Sequence, residues 1–381
     1  MHLLRVQVPD FRGLKNIDIT FEKDFVPSIF PLGSQNGGGK STLLQLIFVL
    51  LHCSLNEDKK PFLQNLLQGF KISDGDEKIL AIIDIWDGEN IVNLKFYCNR
   101  FSVEAGCEYT DKDINPEEII YVCYFSEVKE TFSHDYEILT ITQLKCRFNN
   151  QSKEQSQLFL DNISQKIFLA APSTQVFLFL PPDSRKLLFS NSSNGDNYYG
   201  MLESARYKLQ GLFTYDFLAV ELLIESFKAA RDRDFKEAIK TGSYGNSYQA
   251  LIKELNLLLG NKRINLNEDF SGVNFKLEKN GETIELYPED LSHGELKRLS
   301  IYIWLKSRNI EDAIVLMDEV EIAFHPDWQY QIISDLKEWV PSNQYILATH
   351  SYALCEALTP AHVKEIEPKL IKQESSITNE S

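Results

Sequence analysis

The chain has 381 residues, 43% of them hydrophobic, which is enough for two or three domain-sized units with a substantial core. Its formal net charge of −16 excludes a protein that binds nucleic acid over its whole surface, because such proteins are basic. Any contact with nucleic acid must therefore be local or made by a partner. The six cysteines are scattered, with no Cys-x-x-Cys pair, so they indicate neither a zinc site nor a disulfide framework.

No sequence pattern places the chain in a membrane. From Leu3 onward the N-terminus alternates apolar and polar residues and lacks the long apolar segment of a signal peptide. No apolar run approaches the length of a membrane span. Scattered cysteines in an acidic chain are typical of the reduced cytosol. We therefore expect a cytoplasmic protein without a membrane partner.

The first part of the chain is rich in β-strand patterns. Residues 3–8 and 17–21 alternate on either side of a turn and predict a hairpin. The segment 79–125 predicts several further strands, with a hairpin turn at 87–90. A short apolar run at 176–180 predicts one more strand.

A glycine-rich stretch at residues 33–42, Gly-Ser-Gln-Asn-Gly-Gly-Gly-Lys-Ser-Thr, predicts a phosphate-binding loop. A strand-like run (25–32) leads into it and a helical pattern (42–52) leads out, which is the setting such a loop needs. Backbone N–H groups and the helix N-terminus would bind phosphate. Lys40 would reach the β- and γ-phosphates, and the Ser41 hydroxyl would ligate Mg²⁺. The predicted nucleotide-binding residues here are Asn36, Gly37, Gly38, Gly39, Lys40, Ser41 and Thr42.

One residue departs from this motif. Ser34 stands where the first motif glycine is expected, and Gly33 lies one place early. The alternative interpretation is a glycine-rich turn that only begins a helix. The order Asn-Gly-x-Gly-Lys-Ser-Thr is rare by chance and favours the phosphate loop.

Two helical patterns, 202–240 and 248–259, predict a helical hairpin across 202–259. Its apolar stripe exceeds what a free surface helix needs, which indicates a docking surface. One helix also carries a basic strip, for which the alternatives are a solvated face and a local contact with nucleic acid. The strip consists of Lys228, Arg231, Arg233, Lys236 and Lys240.

An apolar strand at residues 313–317 ends in two carboxylates, Asp318 and Glu319. Beside a phosphate loop, Asp318 would hold Mg²⁺ directly or through water. Glu319 would point toward the γ-phosphate and orient or deprotonate the attacking water. Without the phosphate loop, the same pattern would often be only the end of a strand.

Two further constellations lie near these carboxylates in the sequence. The motif Leu-Ser-His-Gly-Glu at 291–295 begins a helix. One interpretation is an anion site at the helix start, and the other is an ordinary capping box of Ser292 and Glu295. The two interpretations are compatible. Thr-His-Ser at 349–351 follows a strand, so that His350 could donate a hydrogen bond to the γ-phosphate. A lone histidine is more often structural.

The order of these elements resembles ABC-type ATPases, and within them the branch that includes SMC proteins, RecF and the OLD-family ATPases. The Phe-Arg-Gly element at 11–13 and the segment Asp-Glu-Val-Glu-Ile-Ala-Phe-His-Pro at 318–326 carry this resemblance. The Glu-x-x-x-His-Pro part points to the OLD-like subgroup. The resemblance implies an α/β fold, an ABC-type P-loop ATPase head with a mixed sheet, an antiparallel β subdomain and an inserted helical hairpin.

The resemblance also implies a division of the chain. We expect an N-terminal ATPase lobe over 1–150, an insertion over 151–272, a C-terminal ATPase lobe over 273–360 and a polar tail over 361–381. The middle third has no match to the family pattern, and Gln143 is one candidate for its glutamine loop.

By the same resemblance, Ser292 and Gly294 would bind the γ-phosphate of a nucleotide held by a second subunit. The chain would then act as a dimer or higher homo-oligomer with ATP and Mg²⁺ as cofactors. Glu319 and His350 would be its catalytic residues, and Ser41 and Asp318 its metal ligands. His293 stands where the commonest signature has glycine.

The function implied is that of an ATP-hydrolysing subunit of a prokaryotic anti-phage complex that controls a separate nuclease, as in the Septu and PARIS systems. Because only a short segment follows His350, we expect no fused Toprim domain, and we expect the nuclease to be a separate chain. The alternative is a RecF- or SMC-like repair ATPase that contacts DNA through the basic strip. A transporter subunit fits less well, because its signature lies much closer to the phosphate loop.

The chain itself is not expected to be a nuclease. A nuclease needs a metal-binding carboxylate cluster outside the ATP site. The candidate carboxylates surround an Asn-Pro turn, without an apolar strand to hold them as a set, and are typical of a solvated acidic loop. These candidates are Asp111, Asp113, Glu117 and Glu118.

Overall fold

The computed structural model describes residues 1–68, 70–104, 119–132, 136–149, 152–175, 177–189, 198–215, 219–279 and 281–367. The strands are β1 (His2–Phe11), β2 (Leu14–Thr20), β3 (Ile29–Gly33), β4 (Glu77–Trp86), β5 (Ile91–Glu104), β6 (Ile119–Phe132), β7 (Tyr136–Phe148), β8 (Ile167–Ala171), β9 (Leu212–Thr214), β10 (Lys262–Leu266), β11 (Val273–Lys279), β12 (Glu282–Leu286), β13 (Ile314–Asp318), β14 (Gln344–Thr349) and β15 (Lys364–Glu365). The helices are α1 (Lys40–Cys53), α2 (Lys60–Leu67), α3 (Lys153–Ser164), α4 (Pro182–Lys186), α5 (Tyr198–Lys208), α6 (Ala219–Thr241), α7 (Ser247–Leu259), α8 (His293–Ser307), α9 (Pro326–Trp339) and α10 (Tyr352–Glu356). The four carboxylates of the predicted acidic loop, Asp111, Asp113, Glu117 and Glu118, lie outside the described residues.

One six-stranded sheet has the strand order β15-β3-β14-β13-β8-β9. Its strands β3, β14, β13 and β8 run parallel, and their residues are almost all buried, as expected for strands covered on both faces. The register pairs Gly33 with Thr349 and Ala348 with Asp318. The carboxyl ends of these strands therefore meet at one edge of the sheet.

Helix α1 begins after the loop that follows β3 and packs against β8, β13 and β14. Twelve of its fourteen residues are buried, because Leu, Ile, Val and Phe occupy nearly its whole circumference. Burial on this scale fixes the helix, since each large apolar side chain that leaves water contributes about 1.5–3 kcal/mol. The first residue of α1, Lys40, is held in place by the rest of the helix.

A second six-stranded sheet is antiparallel, in the order β2-β1-β4-β5-β7-β6. It contains the predicted N-terminal hairpin, β1 and β2, and the predicted hairpin between β4 and β5. The side chain of Gln344 in β14 joins it to the parallel sheet: its Oε1 accepts from the Leu3 N–H at 2.7 Å, and its Nε2 donates to the Leu3 carbonyl at 2.9 Å.

The chain divides into two compact units: Met1–Phe213 with Asp312–Val320 and Ser342–Ser381, and Thr214–Glu311 with Glu321–Pro341. These units differ from the predicted domain limits. The reason is β8, which pairs with β13 in the parallel sheet, so that the chain after residue 150 returns to the first unit instead of beginning an insertion.

The second unit contains α6, α7, α8 and α9 and a three-stranded antiparallel sheet in the order β10-β11-β12. Helices α6 and α7 form the predicted hairpin, but it covers 219–259 and not 202–259. The predicted helix over 202–240 is interrupted by β9, whose residues are all buried. The predicted strand at 176–180 is also absent: residues 177–180 form a turn, in which Phe177 and Phe179 are fully buried.

Within the described residues, every helix is too short or too polar to cross a membrane.

Candidate functional site

The loop after β3 carries the glycine-rich motif into α1. Gly39 precedes the helix with φ of 83°, a left-handed conformation that favours glycine. In the part of the chain that the structure describes, no side chain caps the first turn of α1. Its free N–H groups and its dipole therefore make this helix start suitable for an anion. Asn36 and Gly37 are exposed on the loop, and Thr42 is half-buried in the first turn.

Lys40 is buried at the base of this loop, with 5% of its surface exposed. Its Nζ donates to the Ser34 carbonyl at 3.1 Å and to the Ser34 Oγ at 2.9 Å. Ser34 is fully buried, and its hydroxyl donates a hydrogen bond to the Gln35 carbonyl at 2.9 Å. The residue that departs from the glycine motif thus serves as a ligand that holds the lysine ammonium.

His350 follows β14 at the same edge and lies against the same ammonium. The Lys40 Nζ is 3.1 Å from its Nε2 and 3.3 Å from its Nδ1. An ammonium has only donors, so the ring nitrogen that accepts from it must be unprotonated. The half-buried imidazole therefore contacts the same ammonium that the phosphate-loop motif predicts to bind phosphate.

Ser41 and Asp318 form the predicted metal-binding pair. The Ser41 Oγ donates to the Asp318 Oδ1 at 3.0 Å, and Asp318 is almost fully buried at the end of β13. A hydroxyl and a carboxylate are oxygen ligands of the kind Mg²⁺ prefers. The described residues contain no group of three or more His, Cys, Asp and Glu side chains able to hold a metal ion. The chemistry of the Ser41–Asp318 pair fits Mg²⁺, which commonly takes its other ligands from phosphate and water.

Glu319 follows with an unusual backbone. Its φ is 49°, and its N–H donates to the Ala348 carbonyl at 2.9 Å. A positive φ in a residue with a Cβ costs of order 1–3 kcal/mol and tends to occur at functional sites. This turn brings the carboxylate to the same edge as Lys40 and Asp318.

Gln175, in the loop after β8, is the functional residue that sequence reasoning missed. Its Nε2 donates to the Glu319 Oε2 at 2.6 Å. Gln143, the candidate for the glutamine loop, instead lies in β7 and pairs with Asn99 in the antiparallel sheet. The available signal was a polar residue shortly after the apolar run Ile167–Ala171, at the strand that neighbours β13.

The Phe-Arg-Gly element forms the turn between β1 and β2. The Arg12 guanidinium donates to the carbonyl oxygens of Leu66 at 3.0 Å and Gln68 at 2.5 Å, which satisfies the last turn of α2. Leu14 packs against the phosphate loop, since a Cβ added to Gly39 would lie 2.5 Å from its Cδ2. The turn between β1 and β2 therefore contacts both the end of α2, through Arg12, and the phosphate loop, through Leu14.

The predicted signature residues lie in the second unit, at the start of α8. The Ser292 Oγ accepts from the Glu295 N–H at 3.2 Å, and the Glu295 carboxylate accepts from the Ser292 N–H at 2.9 Å, a complete capping box. Burial raises the pKa of Glu295, but hydrogen bonds from Lys262 and Ser292 outweigh it, and the net shift is downward. Ser292 and His293 are exposed. The capping interpretation is confirmed, and the anion site remains a prediction.

Gly294 and the segment after Glu319 pack together in this second unit. A Cβ on Gly294 would lie 2.8 Å from the Ala323 carbonyl and against the Trp328 ring, so only glycine allows this close approach. His325 caps α9 by accepting from the Asp327 N–H at 3.4 Å, and Pro326 occupies the first turn. The His-Pro pair therefore shapes a helix start.

A sequence-family profile described as "AAA domain, putative AbiEii toxin, Type IV TA system" matches residues 150–356, which is more than half of the chain. The Retron Vc95 probable ATPase of Vibrio cholerae serotype O1 biovar El Tor is 31% identical over 99 residues, which cover 23% of this chain and 19% of that protein. The Retron Ec83 probable ATPase of Escherichia coli is 35% identical over 51 residues, which cover 13% of this chain and 9% of that protein. The chain thus spans less than a fifth of either curated relative.

Among solved structures, an SMC head bound to the C-winged helix domain of ScpA superposes over 94% of this chain and 92% of its own, with 13% identity and a TM-score of 0.45.

Proposed function

Because the chain belongs to the family described as "AAA domain, putative AbiEii toxin, Type IV TA system", we propose that it binds ATP with Mg²⁺ and hydrolyses it. Its fold is an ABC-type P-loop ATPase head, as the sequence predicts, with a parallel sheet and an antiparallel sheet. The observation that carries the proposal is the convergence of Lys40, the Ser41–Asp318 pair, the Gln175–Glu319 pair and His350 at one edge of the parallel sheet.

Binding would use the loop between β3 and α1. The first N–H groups of α1 and the Lys40 ammonium would neutralise the β- and γ-phosphates. Ser41 and Asp318 would give up their mutual hydrogen bond and hold Mg²⁺ with their oxygens, and the ion would supply charge neutralisation at the β- and γ-phosphates. The ammonium need not move far, because Ser34 already holds it at the base of the loop.

Hydrolysis would use Glu319 as the general base. Its carboxylate accepts a proton from water as the water oxygen attacks the γ-phosphorus and the bond to ADP breaks. Gln175 would orient this carboxylate through its hydrogen bond to Oε2. His350 would donate from its imidazole to a γ-phosphate oxygen, where negative charge develops.

The test compares Glu319→Gln with Lys40→Ala. Glutamine keeps the shape of Glu319 but loses the basic oxygen, so we expect phosphate release to fall by about 10²-fold or more while a fluorescent ATP analogue still binds. We expect Lys40→Ala to lose binding itself, because it removes the fixed charge from the loop. Glu338→Gln makes the same replacement at an exposed carboxylate on α9 and is the matched control. Its phosphate release and ATP binding should equal those of the wild type. Normal hydrolysis by Glu319→Gln would contradict the assignment of the base.

We further propose that Ser292 and Gly294 complete the nucleotide site of a second subunit in a homo-oligomer. The exposed helix start at Ser292 supports this, since an N-terminus can bind phosphate from outside. Ser292→Arg and Lys40→Ala should each be inactive alone. Mixed in equal amounts, they should recover about a quarter of the wild-type rate, because half of the dimers carry one intact site. Full activity of Ser292→Arg alone would rule out the composite site.

As its biological role, we propose an ATPase subunit of a cytoplasmic anti-phage defence complex that holds or controls a separate nuclease, as in the Septu and PARIS systems. The names of the two retron relatives, both probable ATPases, support a defence role. The second candidate is a DNA-binding repair ATPase, favoured by the basic strip on α6, all of whose residues are exposed. Incubation with plasmid DNA, Mg²⁺ and ATP separates them. DNA cleavage by the chain alone contradicts the first role, and strong, salt-sensitive DNA binding supports the second.

A further inference from the structure

A buried tyrosine lies behind the Gln175–Glu319 pair. Tyr198, the first residue of α5, is 2% exposed, and its hydroxyl donates to the Gln175 carbonyl at 2.6 Å. The Gln175 side chain in turn donates to the Glu319 Oε2 at 2.6 Å. Two short hydrogen bonds thus connect α5, through a single loop residue, to the Glu319 carboxylate.

Gln175 needs such an anchor, because it lies in a loop. Its N–H donates to the Pro172 carbonyl at 3.2 Å, which closes a turn but leaves the direction of its carbonyl free. Burial raises the pKa of Tyr198, so its hydroxyl stays a protonated donor throughout the working pH range. The low dielectric around it strengthens the bond to the carbonyl.

We propose that Tyr198 is a positioning residue for ATP hydrolysis, whose hydroxyl fixes the backbone of Gln175 and thereby the orientation of Glu319. The inference rests on the proposed role of Glu319 as the general base. A base must hold the attacking water within a few tenths of an ångström of its reactive position, and a carboxamide on an unanchored loop cannot orient it that closely. The positive φ of Glu319 makes this support more necessary, since its backbone is itself strained.

The competing interpretation is that Tyr198 only fills space in the core. Its ring packs edge-on against Tyr199, with centroids 5.7 Å apart, and would contribute to packing with or without the hydroxyl. Tyr198→Phe separates the two roles, because it keeps the ring and removes a single oxygen. A packing role predicts no change in turnover, whereas a positioning role predicts a fall in kcat with ATP affinity intact.

The experiment measures kcat, KM and the Kd for ATP in Tyr198→Phe. We expect kcat to fall by about 5–20-fold with KM and Kd within twofold, since a small misplacement of a reacting group slows chemistry without weakening binding. Tyr207→Phe, an 88% exposed tyrosine on the same helix, is the matched control and should be unchanged. Unchanged kcat in Tyr198→Phe, lost ATP binding, or a large drop in its unfolding midpoint each overturns the proposal.

A double-mutant cycle tests whether the tyrosine acts through Gln175. Gln175→Ala should lower kcat, and Gln175→Ala with Tyr198→Phe should be no slower than Gln175→Ala alone, because the anchored group is already gone. Losses that multiply would show independent action and overturn the proposal. If wild-type turnover depends on Lys40 and Glu319 but the cycle is additive, only this inference fails. If wild-type turnover is independent of both, the proposed function fails, and the inference fails with it.

Discussion

A lysine–histidine contact lies at each end of α1, and the two contacts differ in how far the histidine is buried. At the N-terminus the Lys40 ammonium lies 3.1 Å from a ring nitrogen of His350, and at the C-terminus the Lys59 ammonium lies 3.0 Å from the His52 Nε2. His52 is 4% exposed, and its Nδ1 donates to the Ser164 carbonyl at 2.6 Å. His350 is half-buried at the open edge of the parallel sheet.

The difference shows that burial, not residue type, decides what such a pair can do. Desolvation by burial, helped by the positive charge of Lys59, lowers the pKa of His52 to about 3. That imidazole is neutral at any physiological pH and has both nitrogens occupied, so it stabilises the fold and is closed to a ligand. The proposed role of His350, in which a phosphate oxygen replaces the Lys40 ammonium, depends on this more open setting.

His350→Ala should affect turnover more strongly than any change at His52. We expect kcat for ATP hydrolysis to fall by about 10²-fold, as when one donor to a developing oxyanion is removed. The Kd for ATP should stay within a few-fold, because Lys40 and the loop remain. Steady-state phosphate release together with titration of a fluorescent ATP analogue measures both quantities.

His52→Gln is the matched control at the other end of the helix. The glutamine amide can still donate to the Ser164 carbonyl and accept from Lys59, and it touches nothing at the nucleotide site. Its turnover should equal that of the wild type. Equal losses in both variants would mean that His350 acts through the fold and not on the nucleotide.

The candidate site residues that belong to recognisable motifs could be predicted from the sequence. Lys40, Asp318, Glu319 and His350 stand at the ends of strongly apolar strands or in a glycine-rich loop, and the parallel register places these strand ends at one edge of the sheet. The contact of Gln175 could not be predicted from the sequence, because a single polar residue in a loop has no periodicity. Its partner, Glu319, also lies 144 positions away.

One error has the same physical origin. Leu212 and Phe213 fit a helical pattern as well as a strand, so periodicity joined α5, β9 and α6 into one helix. The departure at Ser34 likewise had no explanation in the sequence, because its hydroxyl accepts from Lys40 only after the loop has folded. Short elements and single contacts are decided by tertiary packing, which local sequence does not contain.

The buried His52 should also make the stability of the protein depend on pH. The ordinary pKa of histidine is 6.5, and that of His52 in the folded chain is about 3. Between these values the unfolded chain binds a proton that the folded chain excludes, so the stability contributed by His52 is complete above pH 6.5 and is lost as pH falls toward 3. One pKa unit corresponds to about 1.4 kcal/mol, and lowering the pH from 7 to 5 should therefore cost the wild type about 2 kcal/mol through this group. His52→Gln removes the titrating group, and its unfolding free energy should fall by that much less over the same interval. Denaturant unfolding of both proteins at pH 7 and pH 5 measures the difference, and identical losses would mean that His52 is not held neutral by burial.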